Sequence, residues 1–426
     1  MVGRLTALEE ALDFLFARTT GSYKFGLDRT EALLNALGNP HRAYPVIHVA
    51  GTNGKGSSLA MAEALLLGRG LRVGKYTSPH LVDFRERILV NREAIDGAAI
   101  LDFVARWTPL VEKLGATFFE ATTALAFDAF ARAKVDVALI ETGLGGRLDS
   151  TNVVDPVTAG VTTIGWDHTE YLGHSLDAIA LEKAGIFKPG RPAVIGESSG
   201  ELRDTLRRRA LEIGAIPIVV NDVISVGDVG IGADGTHAAF TMGRESRTLR
   251  TPLTGRHQAF NLAFTLALLH AVPQYRFTLA EADPLLAAVS LPGRFQRAGR
   301  YVFDVAHNAD GARVLADTLR AVDLPRPVKA VFCALRDKEW GEMLLALAPV
   351  VDGFVLTNAP TAPASRAWSL EDGGEFLRRA NAPGVLAPTL DEALAAVEDA
   401  ATVVVTGSFH TVGDMMARLH LSPLAL

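Results

Sequence analysis

Apolar positions along this chain fall into two alternating rhythms. Short, mostly apolar runs of strand length occur at residues 44–49, 135–140, 157–164, 193–195 and 216–220, and residues 72–76 read as a further short strand. Between them lie segments whose apolar residues recur three and four places apart. The first covers residues 4–18, through Arg4, Leu5, Leu8, Ala11, Leu12, Leu15 and Phe16. Helices are predicted next over 29–37, stopped by Gly38, Asn39 and Pro40, and over 59–67 and 101–114. Two more cover 121–133, led in by Thr117 to Glu120, and 176–184, closed by Gly185. Phe25, Gly26 and Leu27 read as a packing turn. Strands alternating with helices imply a mostly parallel sheet wound on both faces, with its ligand crevice at the carboxyl ends of the strands. His48 and Gly51, Thr77 and Ser78, Glu141, and His168 all fall at such ends, which predicts one crevice built from four loops.

The rhythm changes at residues 224–253, where short glycine-broken segments read as antiparallel hairpins. A helix over 257–271 follows, and the segment from Leu291 to Phe295 reads as a linker. A fresh α/β series then begins, with strands at 301–305, 328–333, 353–357 and 402–406 and helices at 311–322, 370–380 and 390–400. The expected fold class is α/β. A P-loop-containing, mostly parallel sheet domain with a small antiparallel part spans 1–291, a linker 292–298, and a smaller Rossmann-like domain 299–426. No repeat or low-complexity tract interrupts this order.

Composition narrows the function. A chain of 426 residues is too long for one ordinary core. With 49% hydrophobic and 21% charged residues it has a globular balance. A net charge of −6 argues against nucleic-acid binding over a broad basic surface. Cys333 is the single cysteine, which points to a reducing compartment. No apolar run is long enough to span a bilayer, and the opening residues lack a signal-peptide pattern, so the expectation is a cytoplasmic enzyme without membrane partners.

The richest chemistry lies at residues 48–58. An apolar strand leads into Gly51, Thr52, Asn53, Gly54, Lys55, Gly56 and Ser57, and a helix follows. Glycines let backbone N–H groups turn toward a polyphosphate, the helix N-terminus adds positive potential, and Lys55 supplies a point charge. Val49 and Gly56 depart from the ordinary P-loop pattern, but the strand and helix flanks favour a phosphate site. Glu141, closing the third strand, is placed to ligate Mg²⁺ or to cap a loop. His168 alone is more often structural than a ligand, and Ser78 is either a turn residue before Pro79 or a hydroxyl on a metal. Lys183, judged by its neighbours alone, pairs with Glu182 or snorkels outward; the other option is a desolvated, reactive amine. Arg294, Asp304, His307 and Ser408 offer charge and hydroxyls at the domain boundary, as site residues or as helix caps. Neither a Gly-x-Ser-x-Gly elbow nor zinc-ligand spacing is present.

Taken together, these stretches resemble the folylpolyglutamate synthase/dihydrofolate synthase family, the folate branch of the Mur ligases. The matching stretches run nearly end to end. They are residues 48–57; 77–81 with Glu86 to Ile88; 141–149 with Thr151 and Asn152; and Asp167 and His168 with Leu172 and Gly173. The series continues with Glu182 to Ile186; His257, Gln258 and Asn261; Pro292 to Arg294; Asp304, His307 and Asn308; and Gly407 to Phe409.

The resemblance implies an ADP-forming ligase of folate biosynthesis and one-carbon metabolism. ATP phosphorylates a substrate carboxylate, and the amino group of L-glutamate attacks the acyl phosphate. Dihydropteroate, reduced folates or both are the acceptors. It further implies that residues 52–57 cradle the phosphates, with Gly51, Asn261, Arg294 and Asp304 also on ATP. Ser57, Ser78, Glu141 and His168 would serve two Mg²⁺ ions, and Lys55, His168 and Lys183 the chemistry, Lys183 as a CO₂-derived carbamate. Thr117, Phe118, Phe119, Glu120, Leu148, Asp149 and Ser150 would form the pterin side, and His307 and Ser408 the glutamate site. A monomer is expected, its second domain closing over the first. Two other readings compete: a Mur-type ligase of cell-wall precursors, for which no additional nucleotide-sugar domain is evident before the loop, and a nucleotide-dependent switch without ligase chemistry.

Overall fold

The computed structural model describes residues 6–19, 26–232 and 234–425. Arg4, Leu5 and Phe25, which the sequence reading used, lie outside the described residues. The first sheet holds β1 (Val46–Ala50), β2 (Val73–Tyr76), β3 (Ile88–Val90), β4 (Glu93–Ala94), β5 (Val137–Glu141), β6 (Thr158–Val161), β7 (Pro192–Ile195) and β8 (Ile216–Val219). Their order across the sheet is β4-β3-β2-β5-β1-β6-β7-β8. Only the pairs β2–β3 and β3–β4 run antiparallel. In β1, Ile47 and Val49 enter one apolar core, while Val46 and Ala50 enter cores on the other face. Burial on both faces is why these strands read as continuous apolar runs rather than alternating ones.

Three antiparallel strands, β9 (Ile224–Gly232), β10 (Gly235–Met242) and β11 (Glu245–Thr251), form the expected smaller sheet. The last sheet contains β12 (Gln296–Ala298), β13 (Tyr301–Phe303), β14 (Val328–Phe332), β15 (Gly353–Leu356), β16 (Gly384–Leu386) and β17 (Thr402–Thr406). Their order is β12-β13-β17-β14-β15-β16, parallel except for β12 against β13. Val404 and Phe332 face one core, Val403 and Val331 the other. The architecture is therefore a large, mostly parallel α/β sheet with a second, C-terminal mixed-sheet domain.

Several boundaries moved for local reasons. The helix expected from residue 59 starts at Lys55, because Gly54 turns left-handed at φ +90° and launches it directly from the loop. The helix expected at 101–114 begins at Gly97, capped by Asp96, whose side chain accepts from the Ala98 N–H. Helix Phe118–Ala133 starts with a reciprocal cap between Thr117 and Glu120. Helix Leu390–Ala396 stops four residues short of its predicted end. Helices Gly200–Ile213, Leu279–Leu286, Trp340–Leu347 and Phe409–Arg418 were not anticipated.

Candidate active site

Central β1 lies between β5 and β6, so the segments closing these strands converge beside the glycine loop. The loop is held by the segment that follows β6. Thr52 N–H donates to Thr163 O at 2.7 Å, and the Thr52 hydroxyl both donates to Gly165 O (3.2 Å) and accepts from Gly165 N–H (3.0 Å). Gly51 has φ +145°, and a Cβ there would lie 1.8 Å from Thr162 Oγ1. A Cβ on Gly54 would lie 2.5 Å from Asn261 Oδ1, so Asn261 is packed directly against the loop. Lys55 Nζ donates to the carbonyls of Gly51 (2.9 Å) and Thr52 (3.2 Å) and sits 3.8 Å from Glu141 Oε1.

Glu141 closes β5 and is 6% exposed. Burial raises its carboxyl pKa, opposed by the charge of Lys55 and by the Ser78 N–H, which donates to Oε2 at 3.2 Å. Ser78 precedes Pro79 through a cis peptide. His168 has φ +51° in the turn after β6. Burial lowers its imidazole pKa to about 3 against the pull of Asp167, so at neutral pH it carries a free lone pair. Lys183 is corrected from the outward lysine that its neighbours suggested. It is 4% exposed, and its Nζ donates to Gly51 O at 3.0 Å. Burial first, and Lys55 second, lower its pKa to about 7. Glu182, its presumed partner, pairs with Arg147 instead (2.8 Å).

From the second domain come Arg294, whose guanidinium lies 5.7 Å from the Phe409 ring centroid, and His307, whose ring centroid lies 5.5 Å from that of Phe409. His307 Nδ1 lies 3.0 Å from Val305 O, and its Nε2 faces Asp167 Oδ2 at 3.8 Å. One cavity is lined by Gly51 to Gly56, Ser78, Glu141, Asp167, His168, Lys183, Arg294, His307 and Phe409. The four-loop crevice exists, with one correction: His48 is a fully buried core residue inside β1, its Nε2 2.8 Å from Thr151 Oγ1.

Other candidates are not among the residues that line this cavity. Ser57 is buried in the first turn of helix Lys55–Gly68. Asp304 accepts from the N–H groups of Phe295 and Ala306, both at 2.9 Å, and so braces the residue after Arg294. Ser408 caps helix Phe409–Arg418 through the Thr411 N–H (3.1 Å) and is buried, while its neighbour Phe409 reaches the cavity. On the expected pterin side, Phe118 stacks on Phe16 at 5.2 Å and Phe119 on Tyr76 at 5.9 Å. Thr117 and Glu120 bond one another at the helix start, and Glu120 also pairs with Arg29 at 2.8 Å. Leu148 is half-buried, and Ser150 is buried beside Asp149. Asp149 accepts from Leu144 N–H (2.7 Å) and Thr151 N–H (3.0 Å). The structure thus gives Glu120, Asp149 and Ser408 partners within the fold. Sequence reasoning missed Lys338, whose Nζ lies 2.5 Å from Asp167 Oδ1. Its signal was only an Asp337-Lys338 pair in a loop after β14.

Among the described residues no three His, Cys, Asp or Glu side chains group as a metal cage. One buried carboxylate, a hydroxyl and a neutral imidazole beside a phosphate loop nevertheless suit a cation that shares its shell with substrate phosphates and water.

Comparison with known proteins agrees with this geometry. The family description Mur ligase middle domain matches residues 49–269, and Mur ligase, glutamate ligase domain matches 293–409. The dihydrofolate synthase/folylpolyglutamate synthase of Bacillus subtilis is 32% identical over 97% of this chain and 99% of its own length. A probable bifunctional folylpolyglutamate synthase/dihydropteroate synthase of Haloferax volcanii is 36% identical over 95% of this chain, which spans 50% of that longer protein. The structure of Mycobacterium tuberculosis folylpolyglutamate synthase complexed with ADP superposes with a TM-score of 0.89 at 33% identity, over 98% of this chain and 99% of that one. A bifunctional folylpolyglutamate synthase/dihydrofolate synthase with Mn, AMPPNP and L-glutamate bound superposes at 0.84 and 33%, covering 98% of each chain. These likenesses do not favour the cell-wall alternative. The chain belongs to the folylpolyglutamate synthase/dihydrofolate synthase family of Mur ligases, and it is an ATP-dependent, ADP-forming glutamate ligase.

Proposed function

We propose that a single phosphate site in this crevice serves two acceptors, dihydropteroate and a reduced folate. The observation that carries this is that one loop, one buried carboxylate and one buried amine converge between the two domains. In either reaction the acceptor carboxylate takes the γ-phosphoryl group of ATP and ADP leaves. The amino nitrogen of L-glutamate then attacks the acyl carbon, phosphate departs, and the nitrogen loses a proton to give the amide. A carboxylate is a poor electrophile, so the protein's share is positioning and charge neutralisation.

Gly51 to Ser57 present N–H groups and Lys55 to the phosphates. Asn261 holds the loop's shape, and Arg294, braced through Asp304, adds a cation from the second domain. Ser78, Glu141 and His168 are the groups that would hold Mg²⁺, two ions in all with Ser57 on the phosphate side; the metal supplies charge neutralisation on the transferring phosphoryl group. An amine near pKa 7 is substantially neutral at physiological pH, as carboxylation of Lys183 by CO₂ requires. From the neutral amine that reaction forms an N–C bond to CO₂, releases one proton and leaves a carbamate oxygen donor at this position. Phe119, Phe118 and Leu148 supply apolar surface for a flat pterin, with Thr117, Glu120, Asp149 and Ser150 shaping it from behind. His307 and Phe409 face the incoming glutamate, with Ser408 fixing the helix that carries Phe409.

The working division is 1–291, 292–298 and 299–426, supported by the separate apolar cores of the two large sheets. Cytoplasmic placement rests on the lone buried Cys333. Among the described residues no helix is long and apolar enough to cross a membrane.

The test is ADP release by the purified protein with ATP, Mg²⁺ and L-glutamate, comparing dihydropteroate with tetrahydrofolate. Turnover with both, each inhibiting the other competitively, is the expected result. Turnover with only one would reduce the proposal to a monofunctional enzyme.

A further inference from the structure

The Asp167 carboxylate sits where the two domains meet. Its Oδ1 accepts from Lys338 at 2.5 Å and from its own neighbour's N–H, His168, at 3.0 Å. Its Oδ2 faces His168 Nε2 at 3.7 Å and His307 Nε2 at 3.8 Å. Asp167 thus touches one imidazole from each side of the crevice and one ammonium from the second domain.

Lys338 arrives on a stiff support. It lies in the loop after β14, with its N–H donating to Leu335 O (3.0 Å). Arg366 clasps the loop through Asp337 at 2.6 Å, and Arg336 N–H donates to Arg366 O at 2.9 Å. From this base the lysine crosses to the other domain, and both side chains of the pair are only 9% exposed. Asp167 lines the cavity but Lys338 does not. The ammonium is buried against the carboxylate.

A buried charge pair split between two domains is complete only when those domains are together. Removing either partner leaves the other charge buried and uncompensated, or draws water in behind it. We propose that Lys338 is a positioning residue for the ligase reaction. By engaging Asp167 it holds the His168 and His307 side chains in register across the crevice, so the reactive arrangement forms only on domain closure. Lys338 acts through Asp167 and not on the substrates. The proposal goes beyond the acceptor reading above and stands whichever acceptor is used.

Lys338→Met removes the charge and keeps the stem. Expected is a fall in kcat on the order of 100-fold, the size that misplacement of about 1 Å produces. The Kd of a non-hydrolysable ATP analogue should stay within about threefold, since the phosphate loop does not bond Lys338, and any rise in the glutamate KM should accompany the fall in kcat, because His307 faces the glutamate. Lys338→Arg should recover most of the loss, because it restores the charge. The double variant Lys338→Met/Asp167→Asn removes both charges at once and so folds without a buried orphan. Its kcat should fall no further than that of either single variant. A raised glutamate KM with kcat intact would overturn the proposal, making Lys338 a substrate contact. Losses that multiply in the double variant, or that track the fraction of unfolded protein by circular dichroism, would also overturn it.

Discussion

The amine of Lys183 is hydrogen-bonded to the carbonyl oxygen of Gly51 at 3.0 Å, tying helix Leu176–Ala184 to the first glycine of the phosphate loop. Gly51 O also accepts from Lys55 at 2.9 Å, so two lysines converge on one carbonyl. Neither is free to extend while both bond there. Ligand phosphates compete for Lys55, and carboxylation would redirect Lys183.

The consequence is a pH dependence. Burial and Lys55 lower the Lys183 pKa from 10.5 to about 7, so the neutral amine grows in as pH rises through that value. His168, near 3, contributes no titration there. Ligase activity should therefore climb between about pH 6 and pH 8, and added bicarbonate should raise it most on the acidic side. Lys183→Ala should lower kcat by roughly 10²–10³-fold and flatten that limb. For stability the sign follows from a folded pKa below the unfolded one. The burial penalty is complete below about pH 7 and is relieved as pH rises toward the ordinary lysine range. A rate profile that keeps its limb in Lys183→Ala would remove this lysine from the explanation.

Glu120 tests the separation of fold from function on the pterin side. Its carboxylate is 2% exposed, accepts from Thr117 N–H at 2.7 Å and pairs with Arg29 at 2.8 Å. Glu120→Ala removes the ion pair to Arg29 and the bond from Thr117 N–H, which should cost about 2–4 kcal/mol. The melting temperature should drop markedly, while the folded fraction keeps its acceptor KM within about threefold. An acceptor KM raised tenfold at unchanged stability would make Glu120 a binding residue after all.

Most of the fold was legible because its strands are buried on both faces and its loops carry glycine and proline stops. Helix Phe409–Arg418 was not, since Thr411 and Gly413 interrupt its apolar rhythm and only the Ser408 cap marks it. The phosphate loop was legible from spacing alone. The burial of Lys183 was not, because its helix neighbours show nothing of Gly51, 132 residues away in sequence. Asp149 and Ser408 both cap helices, and because cap and ligand chemistry use the same oxygen atoms, their residue type alone does not separate the two roles. Lys338 escaped notice because its partner lies in the other domain.

Gly143 sets the position of Phe119. A Cβ at this residue would lie 2.4 Å from Phe119 Cζ and under 3 Å from two further ring carbons. Phe119 in turn stacks on buried Tyr76, which cannot retreat. Gly143→Ala must therefore tilt the Phe119 ring and disturb any flat ligand laid against it. The acceptor KM should rise about tenfold, corresponding to roughly 1.4 kcal/mol of lost aromatic contact. The Kd for an ATP analogue, measured calorimetrically, should stay within about twofold. Equal losses on both would mean that the segment after β5 moves as a whole.

Gly413 governs how closely the domains approach. A Cβ there would lie 2.0 Å from the carbonyl oxygen of Leu81, in the segment that also carries Ser78. The Leu81 side chain packs against the core of the second domain, and a Cβ on Gly293 would sit 3.2 Å from its Cδ1. Leu81 is thus held between Gly293 of the linker and Gly413 of the second domain. Because the obstructing atom at Gly413 is backbone oxygen, no rotamer change relieves Gly413→Ala, and helix Phe409–Arg418 must draw back with Phe409. Overpacking of this kind costs about 1–3 kcal/mol. The melting temperature should fall by several degrees, and kcat should fall more than analogue affinity, since the loop that binds phosphate belongs to one domain. Trimming the side chain with Leu81→Ala leaves the oxygen in place, so the double variant should show no rescue. Recovery of kcat in Leu81→Ala/Gly413→Ala would place the clash in the leucine side chain and refute the backbone account.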